Sequence, residues 1–189
     1  MSTTFQKKLA TLAFQQHEKY HLIREAQEPL ATQISKYWTD LGLAFPGVGT
    51  PWSAVFVSWC VKQSGANASN FKFSARHSAF VYQAISDAKK NKGQFQGRPI
   101  LDYSPKVGDI LQNNRGSNRF DFDYAATHKS YESHSAIVVE VGTDTKGKYL
   151  RTVGGNESDS VGLKEVRLDP SGRVINSQGL YISAIEVLL

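Results

Sequence analysis

The sequence has one cysteine, Cys60, and one methionine, at position 1. A lone cysteine excludes an intrachain disulfide and any zinc site built on cysteines. No run of about 18 apolar residues occurs, so no segment reads as a membrane-spanning helix. Met1 to Lys8 lacks the apolar core of a classical secretory signal, so action outside the cytoplasm implies another delivery route. There is no internal repeat, no low-complexity tract and no shift in composition that would mark a domain boundary. The basic and aromatic motifs of nucleic-acid readers are also missing, so nucleic acid is not an expected partner.

What is present suits one domain with one sizeable core: 189 residues, 40% hydrophobic and 21% charged. The net charge of +5 favours an anionic partner, whether nucleic acid, acidic lipid or an anionic wall polymer. Its lysine clusters (Lys7/Lys8, Lys89/Lys90/Lys92, Lys146/Lys148) are short and read as solvated faces.

Apolar periodicity predicts a helix over Thr4–Tyr20 on Phe5, Leu9, Leu12 and Ala13, and a second from near Pro29 to Gly42. A third is expected with Thr50 as cap and Pro51-Trp52-Ser53 as its first turn, running through Val55, Phe56 and Cys60 to Gly65. It is apolar on most sides, which predicts a buried central helix. A fourth is expected from Ser74 through His77 to Ala88. The C-terminal half reads as strands at Ile110–Leu111, Ala136–Val141, Tyr149–Val153, Val161–Leu168 and Ile182–Leu188, with Asn113–Ser133 as a surface loop. Helices first and strands afterwards imply an α+β fold, its N-terminal helices (1–45 among them) packed on a C-terminal antiparallel sheet within one domain, 1–189.

Three positions suggest chemistry. Ser53 falls in the first turn of a buried helix, where free N–H groups and the helix dipole favour a developing oxyanion; it equally suits simple capping. A hairpin turning at Thr145 sets His134 and Asn156 eleven residues to either side. They would be direct cross-strand neighbours with Cβ atoms roughly 5 Å apart. An imidazole held by an amide or a carboxylate is how a base is fixed in one tautomer, and Asp159 is the other partner open to His134. His77 is a third candidate, as substrate contact, second catalytic group or cap. Asp109, after Pro105-x-x-Gly108, suits a turn. Cys60 lies two helical turns below Ser53 and reads as core. His77, His134, Asp109 and Asp159 are conceivable metal ligands, but none has metalloprotease spacing, so no metal or other cofactor is expected.

These residues carry a resemblance. Thr50-Pro51-Trp52-Ser53-Ala54-Val55-Phe56-Val57-Ser58-Trp59 looks like the helix start of the NlpC/P60 and CHAP class of papain-like wall hydrolases, which typically reads P-W-C-A-x-F-V-x-W with the cysteine as nucleophile. Pro105-x-x-Gly108-Asp109-Ile110 resembles a turn of that class, Ser133-His134-Ser135-Ala136-Ile137-Val138 its histidine strand, and Gly154-Gly155-Asn156 its third-residue strand. Within the class the nearer likeness is to the family DUF2272, whose pattern also includes F-x-x-S-x-x-H, here ending at His77. The likeness runs from about Leu9 to Leu168. Ser53 departs from the class cysteine, and a hydroxyl is a weaker nucleophile that a histidine cannot pre-ionise.

The resemblance implies a papain-like fold and a peptidoglycan amidase or endopeptidase, either a secreted antibacterial effector or a phage lysin. It would be monomeric and active in the periplasm or wall, with peptidoglycan and an immunity or delivery protein as partners. Ser53 would be the nucleophile, His134 the general base and Asn156 its orienter, with Trp52, His77 and Asp159 contacting substrate. The alternatives are a wall- or partner-binding module that keeps the cleft without catalysis, and an esterase or acyltransferase.

Overall fold

The computed structural model describes residues 2–189. Helix α1 (Thr4–Tyr20) opens on a capping box, with the Gln6 N–H donating to Thr3 Oγ1 at 3.1 Å and the Thr3 N–H to Gln6 Oε1 at 2.8 Å. Helix α2 (Leu30–Thr39) turns Leu30, Ile34, Tyr37 and Trp38 inward. Helix α3 (Ser53–Ser64) is buried along nearly its whole length and stops at Gly65, whose φ of 118° needs a residue without a Cβ. Helix α4 spans His77–Lys89, and the short α5 spans Phe122–Thr127.

Six strands follow: β1 (Phe95–Pro99), β2 (Ile110–Asn114), β3 (Ser133–Asp144), β4 (Gly147–Glu157), β5 (Ser160–Arg167) and β6 (Tyr181–Val187). They form one sheet in the order β1-β6-β2-β3-β4-β5, every pairing antiparallel. Strand alternation splits the apolar residues between two faces. Ile110, Ile137, Val153 and Ile185 pack with the helices in the main core. Leu111, Val138, Leu150 and Ala184 face a smaller core closed by Ile100, Leu168 and Val174. This is the expected α+β arrangement of helices on an antiparallel sheet.

Three local expectations need correction, and one strand stands where none is expected. Helix α3 begins at Ser53 with Trp52 as its cap residue, so Thr50 and Pro51 lie outside it. Helix α4 begins at His77 rather than Ser74, because Ser74 is drawn into a turn. Its hydroxyl accepts the Arg76 N–H at 3.0 Å, while its own N–H and carbonyl both bond to Ser58 Oγ of α3. The loop expected over Asn113–Ser133 contains α5, whose N-terminus Asp121 caps through the Tyr124 N–H. Strand β1 is the unexpected one. It carries Gly97 and Pro99 in five residues, and Gly97 lies where an added Cβ would come within 2.4 Å of Ile85 on α4.

Candidate functional site

Ser53 is the first residue of α3, and what fixes it is the residue before it. Trp52 is fully buried, its ring stacked on Tyr37 and edge-on to Phe56, and its indole N–H donates to Glu25 Oε2 at 2.9 Å. Burying a side chain such as Phe56 contributes about 1.5–3 kcal/mol, so this aromatic cluster holds the helix start firmly. No side chain caps the first turn of α3. Its leading N–H groups are therefore free to face an anion.

The Ser58–Ser74 bonds bring the start of α4 against the start of α3, which sets His77 beside Ser53. The Ser53 Oγ to His77 Nε2 distance is 2.7 Å. The opposite ring nitrogen, Nδ1, is buried without a protein partner among the described residues. Burial lowers the His77 pKa well below the usual histidine value, and the charges of His134 and Arg115 lower it further. His77 is thus neutral, with one N–H to place. An orphaned buried N–H costs more than an under-used acceptor, so the proton belongs on Nε2, which then donates to Ser53 Oγ. That leaves the serine O–H free to point elsewhere.

Beside His77 stands His134, the second residue of β3. Its ring centroid is 5.3 Å from that of His77. His134 Nε2–H donates to Glu157 Oε1 at 2.8 Å, which fixes the tautomer and leaves Nδ1 with its lone pair. Burial pushes the Glu157 carboxyl up, but the hydrogen bond and charge of His134, with Lys164 at 3.3 Å, bring it below the ordinary glutamate value.

The expected partner of His134, Asn156, is not there, and the reason is a β-bulge. The β3–β4 ladder closes with Asp144 opposite Gly147, one residue out of step with a turn centred on Thr145; a shift between Val138 and Glu140 then restores the expected register, with Val138 opposite Thr152 and Ile137 opposite Val153. Between Gly154 and Glu157, however, the pairing of β4 with β5 shifts by one residue, and Asn156 takes a φ of 56°. Gly154 faces the site: an added Cβ there would lie 2.8 Å from His134 Nε2 and 2.5 Å from Glu157 Oε1. Regular alternation would put residue 156 on that same face. The extra residue puts Glu157 there instead, and Asn156 turns away to donate to Glu25 Oε2 at 2.8 Å.

The remaining candidates disperse. Trp52 is walled in and does not reach the groove. Asp159 is exposed and paired with Arg24 at 3.2 Å, not with His134. Asp109 is buried in its turn, accepting from the Lys106 and Val187 N–H groups and from Tyr103. The four conceivable metal ligands are thus not brought together. Cys60 is fully buried, which pushes its thiol pKa up. Sequence reasoning missed Glu157. A carboxylate one residue past the expected partner was visible, but the bulge that presents it was not.

Ser53 sits where two open lobes meet. One, of about 260 Å³, is lined by Ala75, Arg76, His77, Arg115, Tyr131 and Glu132. The other, of about 240 Å³, is lined by Asn113, Arg115, His134, Asn156, Glu157 and Lys164. Among the described residues Ser53 makes no hydrogen bond to His134; a hydroxyl touching a neutral, buried imidazole, in a groove also lined by an imidazole held by a carboxylate, is equipped for nucleophilic attack at a carbonyl. No helix among the described residues is long and apolar enough to cross a membrane. No curated protein and no solved structure matches the chain. The model of a family described as an uncharacterized protein conserved in bacteria (DUF2272) matches residues 10–185, and the chain belongs to that family.

Proposed function

We propose that the protein hydrolyses peptide or amide bonds of peptidoglycan through an acyl-enzyme on Ser53. The observation that carries this reading is the Ser53–His77 contact at an uncapped helix start, with the His134–Glu157 pair lining the same groove. Ser53 Oγ attacks the carbonyl carbon while its proton passes to His134 Nδ1. The imidazolium that results is held against the Glu157 carboxylate. His77 Nε2–H donates to Oγ and favours its anionic character. The free N–H groups of the first turn of α3 receive the tetrahedral oxyanion. His134 then returns the proton to the leaving amine, and water releases the acyl group by the reverse sequence.

The wall substrate rests on likeness. A nucleophile at a helix start, a histidine on a later strand and a polar third residue on the strand after that one follow the order of the papain-like NlpC/P60 and CHAP hydrolases. Serine in place of their cysteine demands a working base, which the His134–Glu157 pair supplies.

The test uses purified sacculi, with released muropeptides identified by mass. Wild type should release fragments bearing new free amines. Ser53→Ala and His134→Ala should each cut release by about 10³-fold or more, and the double variant should be no worse. Ser53→Cys should remain active, since a thiol at a helix start beside histidine is partly ionised. Sacculi that stay intact yet retain the protein would replace this reading with that of a wall-binding module.

A further inference from the structure

Five of the eight arginines are locked in ion pairs: Arg24, Arg98, Arg151, Arg167 and Arg173. Of the other three, Arg119 spends its guanidinium on carbonyls of its own loop. Arg76 and Arg115 remain, and both line the groove beside Ser53. Neither is within 4 Å of a carboxylate among the described residues. Among the described residues, the only hydrogen bond made by either side chain is a long Arg76 Nη1 contact to Ser130 Oγ at 3.4 Å. Arg115 is placed to matter most, because it borders both lobes where they meet at Ser53. Its charge reaches the site, where it adds to burial and His134 in keeping His77 neutral.

Unpaired guanidinium groups at the rim of a polar groove call for an anion, and the planar fork matches an oxyanion with two lone-pair edges. Lys164, the other cation of the groove, is already committed to Glu157. Glu132 stands on the same wall as the two arginines. With Glu157 it leaves the groove poorly suited to a compact dianion such as phosphate, and better suited to carboxylates, which carry one negative charge per group.

We infer that the groove takes a substrate bearing a carboxylate next to the bond that Ser53 attacks, with Arg115 as its principal anchor and Arg76 as the second. This rests on the proposed hydrolase reading for its account of the bond, but the anchoring itself is a binding property that survives loss of catalysis. The two can therefore fail separately.

Calorimetric titration of the full chain with glutarate, glutaramide and inorganic phosphate tests it. Glutarate should bind saturably to wild type and equally to Ser53→Ala. Arg115→Met should weaken it about tenfold or more, as losing one charge-assisted pair does, and Arg115→Lys should fall between. Arg119→Met, on the same loop but outside the groove lining, should bind as wild type. Equal binding of glutaramide, tighter binding of phosphate, absence of glutarate binding, or an Arg115→Met variant with unchanged affinity would each overturn the inference. Glutarate binding by a chain that leaves sacculi intact would uphold the anchor while removing the hydrolase.

Discussion

Glu157 Oε1 lies 2.8 Å from His134 Nε2, and the Glu157 side chain is only 5% exposed. A carboxylate in that position both fixes the tautomer and meets the positive charge that forms when the imidazole takes a proton. Glu157→Gln keeps the shape and removes the charge. It is expected to lower sacculus turnover by roughly 10²-fold or more, in the direction seen when the acid of a catalytic triad is neutralised. Asn156→Ala leaves the His134 contact intact and should cost far less. Muropeptide release rates of the two variants, measured side by side, check this; a dead Asn156→Ala with an active Glu157→Gln would return the orienting role to Asn156.

Stability should fall in mild acid, and the sign follows from His77. Its folded pKa lies well below the ordinary histidine value of 6.5. Above that value both folded and unfolded chains hold it neutral, and it contributes no pH dependence. Below it the unfolded chain takes up a proton that the folded chain refuses. Stability then drops by up to about 1.4 kcal/mol per pH unit. Glu157, whose pKa is lowered from 4.5, adds to the loss as pH falls through that region. Asp109, raised from 3.8, opposes it there by holding its proton more tightly when folded. Urea midpoints taken at about pH 7.5 and about pH 5.5 should differ for wild type and differ less for His77→Gln. Equal shifts in both proteins would show that other groups carry the dependence.

Cys60 offers a control on the nucleophile. It is fully buried in α3, and burial raises its pKa, so native protein should resist thiol-alkylating reagents that react once urea is added. Cys60→Ala should lose about 1 kcal/mol or so for a small buried side chain and leave turnover unchanged. A folded Cys60→Ala variant without activity would move the chemistry away from Ser53.

How far the sequence carried this reading depends on what kind of signal each residue leaves. Leu9 and Ala13, or Ile34 and Trp38, mark their helices by spacing alone, and α1 and α2 lie where periodicity sets them. Ile137 and Val153 mark a hairpin, but they meet only because a register shift between Val138 and Glu140 offsets the turn by one residue. Strand β1 has no such mark, since Gly97 and Pro99 are poor strand formers tolerated only because the strand lies at the sheet edge. The site divides the same way. Ser53 and His134 were legible from a helix start and a strand start, whereas their neighbours depend on tertiary detail. His77 meets Ser53 because Ser58 and Ser74 tie two helices together. Glu157 replaces Asn156 because one extra residue reverses the alternation of β4, and no local pattern announces a bulge.

Glu25 is singled out by no sequence signal. It lies between α1 and α2, far from Ser53 in the chain, yet its Oε2 accepts both from the Trp52 indole at 2.9 Å and from Asn156 Nδ2 at 2.8 Å. Its own N–H donates to the Asp159 carbonyl at 2.7 Å. One carboxylate oxygen thus ties the residue before Ser53 to the residue before Glu157, so the two arms of the candidate site share an anchor. Gln presents one amide oxygen that can accept both donors, so Glu25→Gln should remain close to wild type. Glu25→Ala strands a fully buried indole N–H, and should cost about 1–3 kcal/mol of stability. If the anchor also sets the site, kcat should fall in Glu25→Ala with little change in KM, because a misplaced nucleophile and base weaken the transition state more than they weaken binding. Steady-state release from sacculi at a temperature where both variants are fully folded separates the two effects. A Glu25→Ala protein that is less stable but turns over as wild type would confine Glu25 to holding the fold.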